Sequence, residues 1–237
     1  MFKRLLTLAA AVSVAFMPAA SFAKPKQPTP APAAAAATAP KAAAMPLVAD
    51  PDINHDPENI LFLDLSNGRR VAIRLVPEWA PHHVERIKTL TRQGFYDGLK
   101  FHRVIDGFMA QTGDPTGTGS GGSQLPNLEP EFNAMPHVRG TVSMARAQAE
   151  NSANSQFFIV FYPRFSLDHR YTNFGRVIAG MDAVDAIARG EPPENPTIIL
   201  QASIAADHKP QKFPAAEAPT VAAAPITAAQ LNSSTSK

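Results

Sequence analysis

The sequence predicts a mainly β domain, an antiparallel barrel or sandwich, between two ends that cannot form a core. Three observations lead to this prediction. Many short segments alternate apolar and polar residues, which is typical of half-buried strands. Few segments carry helix signals, and these do not alternate regularly with strands as in βαβ folds. The Phe, Ile and Leu residues concentrate between Asn59 and Ile204, a length typical of one domain.

The domain begins with a predicted hairpin. Ile60–Leu65 and Arg70–Leu75 both alternate with a period of two. Asn67 and Gly68 lie between them, and an Asn-Gly pair is a strong hairpin signal because both residues tolerate a positive φ. We therefore expect both turn residues to adopt a positive φ.

A helix is predicted directly after this hairpin. Pro81 lies near its start, where proline is favoured. Val84, Ile87 and Leu90 recur on one face, and Gly94 is placed to end the helix as its C′ residue.

The second half of the domain is predicted to contain further strands and one more helix. Met181–Arg189 has Asp182 in its first turn and Gly190 after its last, as expected of a helix. The remaining predicted strands are Lys100–Ile105, Gly107–Thr112, Thr141–Ala145, Gln156–Phe161, Asn173–Val177 and Thr197–Ile204.

The two ends of the chain lack large apolar side chains. Residues 24–58 are rich in Pro and Ala, and residues 206–237 are rich in Ala, Pro, Ser and Thr. Such segments bury too little apolar surface to offset the entropy of ordering a backbone. We predict a disordered linker and a disordered tail on either side of a folded domain of residues 59–205.

The first 23 residues have the features of a secretory signal. Lys3 and Arg4 precede a 13-residue apolar run, Leu5–Met17, and small residues lead to a cleavage site after Ala23. The run is shorter than the roughly 20 residues that span a bilayer. We predict a cleaved signal peptide and an exported, periplasmic protein without stable membrane insertion. The alternative is an uncleaved signal that anchors the chain.

The composition argues against several functional classes. Lys and Arg number 22 and Asp and Glu 20, so the net charge of +2 does not favour binding to nucleic acid. Cysteine is absent, which excludes disulfides and zinc–thiolate sites. His82 and His83 are adjacent and lack metal-ligand spacing, so we predict no metal and no cofactor. A G-x-S-x-G elbow is also missing, although a Ser/His/Asp triad scattered along the sequence stays open.

A glycine-rich segment imitates a dinucleotide-binding motif. Gly117, Gly119 and Gly122 satisfy G-x-G-x-x-G, but that fingerprint needs a helix N-terminus immediately afterwards. Pro126 and Pro130 follow instead and would break a helix. We interpret the segment as a mobile glycine loop.

The segment Phe101–Gly122 carries an arginine among apolar residues. Alternation along a strand would place Arg103 on one face with Phe101 and Ile105. The next strand would add Phe108, Met109 and Gln111. By itself, this pattern more often describes a charge at the rim of a core than a catalytic group.

The same segment resembles a known family signature. Phe101–Asp114 is similar to the signature of the cyclophilins, a family of peptidyl-prolyl isomerases. Further similar blocks follow in the family's order: Gln93–Gly98, Val142–Ala147, Asn151–Ile159 and Leu167–Asp182. The resemblance covers Asn59–Ile204 and implies an eight-stranded, closed antiparallel β-barrel capped by two α-helices.

The resemblance also implies a set of site residues. Arg103 would be the essential polar catalytic group, and Gln111 would orient it. The implied substrate-binding residues are Phe108, Met109, Ala145, Arg146, Gln156, Phe158, Leu167 and Tyr171. Phe108, Met109, Phe158 and Leu167 of this set would form the proline pocket.

Three positions depart from well-studied members of the family. Arg146 stands where many members have Asn, and we expect it to alter which residues are preferred beside proline. Ser166 replaces a Trp and Tyr171 replaces a His. Ser166 is too short to replace an indole N–H donor, so tight binding of cyclosporin is not expected.

The function implied by the resemblance is peptidyl-prolyl cis/trans isomerisation of exported proteins during folding. The expected partners are proline-containing unfolded or folding polypeptides, and the expected state is a monomer. The alternative is a non-catalytic holdase or scaffold that grips the same segments in the same groove.

Overall fold

The computed structural model describes residues 46–213 of the 237-residue chain. The predicted signal peptide, residues 24–45 of the predicted linker and the tail after residue 213 lie outside the described residues. Within residues 46–213, no helix is both long and apolar enough to cross a membrane.

Eight strands form one antiparallel sheet, and two helices pack against it. The strands are β1 (Ile60–Leu65), β2 (Arg70–Leu75), β3 (Arg103–Ile105), β4 (Met109–Thr112), β5 (Thr141–Met144), β6 (Phe157–Val160), β7 (Asn173–Ala179) and β8 (Ile199–Ile204). The helices are α1 (Pro81–Arg92) and α2 (Met181–Asp185). The order in the sheet is β3-β4-β6-β5-β7-β2-β1-β8. The predicted mainly β, antiparallel class with two helices is confirmed.

Among residues 46–213, the two ends of the sheet, β3 and β8, meet through the residues that flank them. The Phe101 N–H donates to the Thr197 carbonyl at 2.9 Å, and the Ile199 N–H donates to the Leu99 carbonyl at 2.8 Å. In the described part of the chain, the curled sheet is therefore joined by a few flanking hydrogen bonds rather than by a continuous β3–β8 ladder. The sheet is a half-barrel more than the fully closed barrel expected.

The core fills the inside of the curled sheet. Tyr96, Phe101, Phe157 and Phe174 are fully buried there with the aliphatic residues of β1, β2 and β8. The rings of Tyr96 and Phe157 meet edge to face at 5.5 Å. Burying each such side chain contributes on the order of 2 kcal/mol, so the aromatic interior holds the strands in place.

Helix α1 begins and ends as the sequence predicts. Pro81 is in its first turn, where the missing N–H costs no hydrogen bond. Gly94 has φ = +70°, and the Phe95 N–H donates to the Leu90 carbonyl at 3.0 Å. This is the Schellman ending that glycine favours. The helix buries its apolar stripe against the sheet.

The β1–β2 turn differs from the prediction. Gly68 has φ = +79°, but Asn67 is not among the residues with a positive φ. The Leu65 N–H donates to the Arg69 carbonyl, so the loop holds more residues than a two-residue turn. The Asn67 amide instead donates to the Ala183 carbonyl at 3.0 Å. A tertiary contact to α2 thus occupies the side chain that was expected only to form the turn.

Helix α2 is shorter than predicted. It ends at Asp185 rather than Arg189. Ile187 is drawn into the core, and Gly190 pairs with Val104 of β3 instead of capping the helix. Burial and sheet pairing therefore override the helical signal over these last residues.

Residues 46–59 contact the sheet beside β2, although the sequence places most of them in the linker. The buried Arg74 guanidinium donates to four backbone carbonyls, those of Asp50, Asp52, His55 and Asp56, at 2.5–3.1 Å. The Trp79 indole donates to the Pro46 carbonyl at 2.7 Å. We call residues 46–59 the N-terminal clasp.

Candidate active site

Four strands place one row of side chains on the outer face of the sheet. Arg103 of β3 lies opposite Gln111 of β4, which lies opposite Phe158 of β6, which lies opposite Ser143 of β5. Residues two apart on a strand share a face. Ile105 and Met109 therefore form a second, parallel row beside the first.

An apolar cluster separate from the barrel interior forms the floor of this face. Met109, Phe158 and Val160 are buried at its centre. The side chains packed around them are Ile105, Phe108, Ala145, Leu167 and Tyr171. Phe158 and Tyr171 meet edge to face at 5.7 Å.

The expected common face of Arg103 and Phe101 is wrong. Phe101 belongs to the interior core, whereas Arg103 is partly exposed on the outer face. The reason is that β3 begins only at Arg103, so the alternation does not extend back to Phe101.

A groove of about 360 Å³ opens over the apolar floor. Its lining contains nine of the ten residues named from the sequence: Arg103, Gln111, Phe108, Met109, Ala145, Arg146, Phe158, Leu167 and Tyr171. The tenth, Gln156, lines an adjoining cavity of about 510 Å³ that shares Gln111, Ala145 and Arg146 with the groove. The structure thus brings the whole predicted set together, and the role of each residue stays a prediction.

Arg103 is the positive group at the rim of the groove. Its side chain is 43% exposed, and its Nε donates to Glu191 Oε2 at 2.8 Å. Gln111, which was expected to orient it, lies directly opposite on β4. The Gln111 amide, however, donates to Gln156 Oε1 at 2.8 Å. In this structure the partner of the guanidinium is a carboxylate that the sequence did not single out.

The glycine loop is tied to this site. Gln156 Nε2 donates to the Gly119 and Gly121 carbonyls at 3.0 and 2.7 Å. Asp114 accepts hydrogen bonds from the Thr116 N–H and from the Gly119 N–H at 2.7 and 2.6 Å. No helix begins directly after the loop, since residues 123–149 are described and contain none. This agrees with rejecting the dinucleotide motif, but the loop is anchored at several points.

The anchoring acid, Asp114, has a perturbed ionisation. Burial by itself would raise the pKa of its carboxyl group. Hydrogen bonds from the Thr116 hydroxyl and N–H and from the N–H groups of Gly121 and Gly119 outweigh burial and lower the pKa to about 2. The carboxylate therefore stays charged at neutral pH and holds the loop against the groove.

Arg146 forms the wall between the groove and the adjoining cavity. Its guanidinium donates to the Arg170, Ala147 and Gln148 carbonyls at 3.0–3.2 Å. It also lies over the Tyr171 ring, 4.9 Å from the centroid. These contacts fix a positive charge at the edge of the groove.

A Ser/His/Asp row, buried at its Ser and His members, lies beside Phe158. His137 Nδ1 is 2.8 Å from Asp168 Oδ1, and His137 Nε2 is 3.0 Å from Ser143 Oγ. Ser143 is fully buried, and its hydroxyl donates to the Thr172 carbonyl. Burial also lowers the pKa of His137. Because the Ser143 side chain has no solvent access, this row does not form a hydrolase site.

Sequence reasoning missed three residues that shape the site. Gly119 lines the groove, Asp114 anchors its loop, and Glu191 pairs with Arg103. The Asp-Pro-Thr-Gly sequence at 114–117 is a turn signal that could have indicated the anchor. Nothing local could have indicated Glu191, which is 88 positions from Arg103. Within residues 46–213, no group of His, Asp or Glu residues is arranged to hold a metal ion.

The family comparison agrees with this geometry. Residues 62–204 match the model of the cyclophilin type peptidyl-prolyl cis-trans isomerase/CLD family. The match spans more than half of the chain and contains all four strands that carry the groove. The chain belongs to the cyclophilin family. It is a cyclophilin-type peptidyl-prolyl isomerase, and the groove on its outer face is the candidate active site.

Proteins similar to this cyclophilin are named peptidyl-prolyl cis-trans isomerases. A probable peptidyl-prolyl cis-trans isomerase of Brucella suis is 50% identical over 170 residues, which cover 65% of this chain and 86% of that protein. Peptidyl-prolyl cis-trans isomerase B of Bacillus subtilis is 41% identical over 128 residues, covering 54% of this chain and 89% of that protein.

Solved cyclophilin structures share the fold. Cyclophilin AquaCyp293 from Hirschia baltica superposes with a TM-score of 0.60 at 32% identity, covering 67% of this chain and 78% of that one. A cyclophilin type isomerase of Cryptosporidium parvum, crystallised in the presence of the dipeptide Ala-Pro, gives a TM-score of 0.57 at 28% identity. That match covers 61% of this chain and 98% of the other.

Proposed function

We propose that this cyclophilin accelerates rotation about X–Pro bonds in exported proteins during folding, with Arg103 as the group that stabilises the twisted bond. One observation carries the proposal: a guanidinium stands at the rim of an apolar groove whose floor is Phe158. The groove can hold a pyrrolidine ring, and the guanidinium can donate a hydrogen bond to the X–Pro peptide bond that ends at this ring.

The chemistry needs no covalent step. Amide resonance stiffens the C–N bond and gives rotation a barrier of about 18–20 kcal/mol. When the bond twists, the proline nitrogen becomes pyramidal and gains a lone pair that can accept a hydrogen bond. A donor that engages this lone pair binds the transition state but not the planar ground state, which is the condition for lowering the barrier.

Arg103 suits this task by its chemistry and its place. A guanidinium stays protonated at any physiological pH, and its planar fork presents donors in fixed directions. Only Nε of Arg103 has a hydrogen-bond partner among the described residues, Glu191. The two terminal nitrogens therefore have donors to offer to a substrate.

The groove supplies the second requirement, which is to hold the ring while the preceding carbonyl turns. Phe158 is 4% exposed and Met109 is 1% exposed at the floor, and Phe108 and Leu167 pack around them. Speeding a reaction of tens of seconds to milliseconds requires about 5.5 kcal/mol. A charge-assisted donor supplies about 3–4 kcal/mol of this, and the apolar, water-excluding groove supplies the remainder.

The main chain of the substrate can be held beside Arg146. Strand β5 ends at Met144, and the Ala145 N–H already donates to the Gln156 carbonyl. The peptide groups of Arg146 have no backbone partner within residues 46–213. They are free to pair with an extended substrate segment, while the fixed charge of the Arg146 side chain favours acidic residues near the proline.

The wild-type protein tests the proposed activity directly. Exchange NMR on an X–Pro peptide, with the protein at a small fraction of the peptide concentration, should show cis/trans exchange accelerated from tens of seconds to milliseconds. Peptide binding without acceleration would instead identify a holdase that grips proline-containing segments. If the peptide shows no binding and no acceleration, both the isomerase and the holdase hypotheses are excluded.

The predicted export signal is the reason for proposing exported proteins as clients, and it is tested separately. The basic and apolar pattern of residues 1–23 is that of a cleaved signal. We expect the exported protein to begin at Lys24, as read by intact mass or N-terminal sequencing. A mature protein that still begins at Met1 would favour an anchored isomerase.

A further inference from the structure

The open edge of β3 is covered by the segment that follows α2. The Val104 N–H donates to the Gly190 carbonyl at 2.8 Å, and the Gly190 N–H donates to the Val104 carbonyl at 2.9 Å. This reciprocal pair fixes the backbone beside Arg103 to the backbone beside Glu191. Glu191 is therefore delivered to Arg103 by the main chain.

Charged side chains on both sides of this pair match each other. Arg103 binds Glu191, with Nε to Oε2 at 2.8 Å. Asp106, just after β3, binds Arg189, with Nε to Oδ1 at 3.1 Å. The two ion pairs have opposite polarity along the edge, so only one alignment of the segment satisfies both.

Gly190 shows that the alignment depends on a special backbone conformation. It has φ = +141°, and a Cβ there would lie 2.6 Å from Pro193 Cα and 2.9 Å from the Pro192 carbonyl oxygen. Side chains larger than hydrogen are excluded by backbone atoms that cannot yield. The position of the next residue, Glu191, is therefore set by a tight turn and not by a freely moving loop.

We propose that Glu191 is a positioning residue for isomerisation: it holds the Nε edge of Arg103 so that the two terminal nitrogens face the groove. The inference rests on the proposed function of Arg103. An arginine on an edge strand has many rotamers, and a fixed partner at Nε restricts them before the substrate arrives. Gln111 does not make this contact; its Nε2 donates to Gln156 Oε1 instead.

The exposure of the pair sets the size of the effect. The side chains of Arg103 and Glu191 are 43% and 49% exposed, and ion pairs in such surroundings contribute little. We therefore expect loss of the contact to slow catalysis by about 3- to 10-fold, well short of the loss of Arg103 itself.

Two substitutions at the same position separate geometry from charge. Glu191→Gln keeps an oxygen that can accept the Nε hydrogen bond, whereas Glu191→Ala removes it. We expect exchange NMR on an X–Pro peptide to give nearly wild-type kcat for the Gln variant. The Ala variant should have about 3- to 10-fold lower kcat with little change in KM. Glu194→Ala, an exposed acid in the same segment, is the matched control and should behave as the wild type.

A second readout does not depend on turnover. The Arg103 Nε–H resonance should move and exchange faster with solvent in Glu191→Ala, and should stay near its wild-type position in Glu191→Gln. In an Arg103→Lys background, which has no Nε–H, Glu191→Ala should cause no further loss of kcat.

Each result has a distinct meaning. Higher kcat in both Glu191 variants would show that the carboxylate masks the guanidinium. Unchanged kcat in Glu191→Ala, with the Arg103 Nε–H resonance unmoved, would show that the carboxylate has no effect. Either result overturns the proposal. If the wild type catalyses no isomerisation, the proposed function fails. In that case a shifted Nε–H in Glu191→Ala would still establish the contact but not its role in catalysis.

Discussion

Two arginines on this sheet differ in how many of their hydrogen-bond donors are used within the fold. Arg74 of β2 is 3% exposed, and its donors reach four carbonyls of the N-terminal clasp. Arg103 of β3 is 43% exposed and makes one hydrogen bond, to Glu191, among the described residues. A guanidinium has five N–H donors. Arg74 uses nearly all of them within the fold, whereas most donors of Arg103 have no partner among the described residues.

The same contrast separates the two faces that carry these arginines. Beside β2, the clasp covers the sheet and satisfies the buried charge. Over β3, β4, β6 and β5, a groove stays open above Met109 and Phe158. Polar groups whose hydrogen bonds are satisfied within the fold stabilise the structure. Polar groups with free donors beside an apolar pocket are available for chemistry. We therefore expect substitutions on the first face to alter stability, and those on the second to alter catalysis or binding.

The largest effect should come from Phe158, where the two roles overlap because it is buried and also lines the groove. Phe158→Ala should cost about 3 kcal/mol of unfolding free energy and abolish measurable binding of an X–Pro peptide. Denaturant unfolding and NMR titration measure these changes. Phe62→Ala, on β1 away from the groove, is the control and should leave peptide affinity intact. An unchanged affinity in Phe158→Ala would place the proline elsewhere.

Arg74 gives the clearest test of whether substitutions on the face beside β2 alter stability alone. Arg74→Met keeps the apolar stem but leaves four clasp carbonyls without their donor, and should cost about 2–3 kcal/mol of stability. The kcat of the folded fraction should not change. Arg69→Met, an exposed arginine at the β1–β2 turn, should have little effect on either quantity. Reduced kcat in Arg74→Met at full folding would break the separation of the two faces.

Asp114 links stability to pH on the groove side. Its pKa is lowered from 3.8 to about 2 in the folded chain, so its contribution is complete above pH 4 and is lost as pH falls from about 4 to about 2. The shift corresponds to about 2 kcal/mol. Unfolding free energies measured from pH 5 to pH 2 should show Asp114→Asn less stable at pH 5, with the difference from wild type disappearing near pH 2. A difference that does not vary with pH would show that the carboxylate charge is not what anchors the loop.

The smallest effect should come from Arg146. Its charge lies beside the proposed substrate path, but its hydrogen bonds lie within the protein. Arg146→Asn should lower kcat/KM for a peptide with Glu before the proline relative to one with Lys, by less than about 1 kcal/mol. The preference of the wild type for the acidic peptide should weaken as salt is added. Equal kcat/KM for the two peptides in the wild type would remove Arg146 as a source of specificity.

The fold could be predicted where the signals are local. The strands of the first hairpin and the start and end of α1 follow from alternation, from Pro81 and from Gly94. The prediction was wrong where a tertiary contact overrides such a signal. The β1–β2 turn is reshaped while Asn67 binds the Ala183 carbonyl, and α2 ends early because Gly190 pairs with β3.

The candidate site was predicted as a set of residues but not as a network of contacts. The family resemblance located the groove residues, and the structure gathers them. The resemblance could not indicate that Gln111 binds Gln156 or that Glu191 binds Arg103, because these contacts join segments 45 and 88 positions apart. The alternation that linked Phe101 to Arg103 was wrong because a period of two holds only within a continuous strand.

The most direct test of the account is Arg103→Ala, with isomerisation and stability measured on the same sample. The proposed function needs the guanidinium in the twisted state, and the fold makes little use of it, so exchange NMR on an X–Pro peptide should show about a 100-fold loss of rate, near 2.7 kcal/mol. The melting temperature should stay close to that of the wild type. A variant that keeps more than half of the wild-type rate, or that loses its rate only by unfolding, would contradict the role of Arg103.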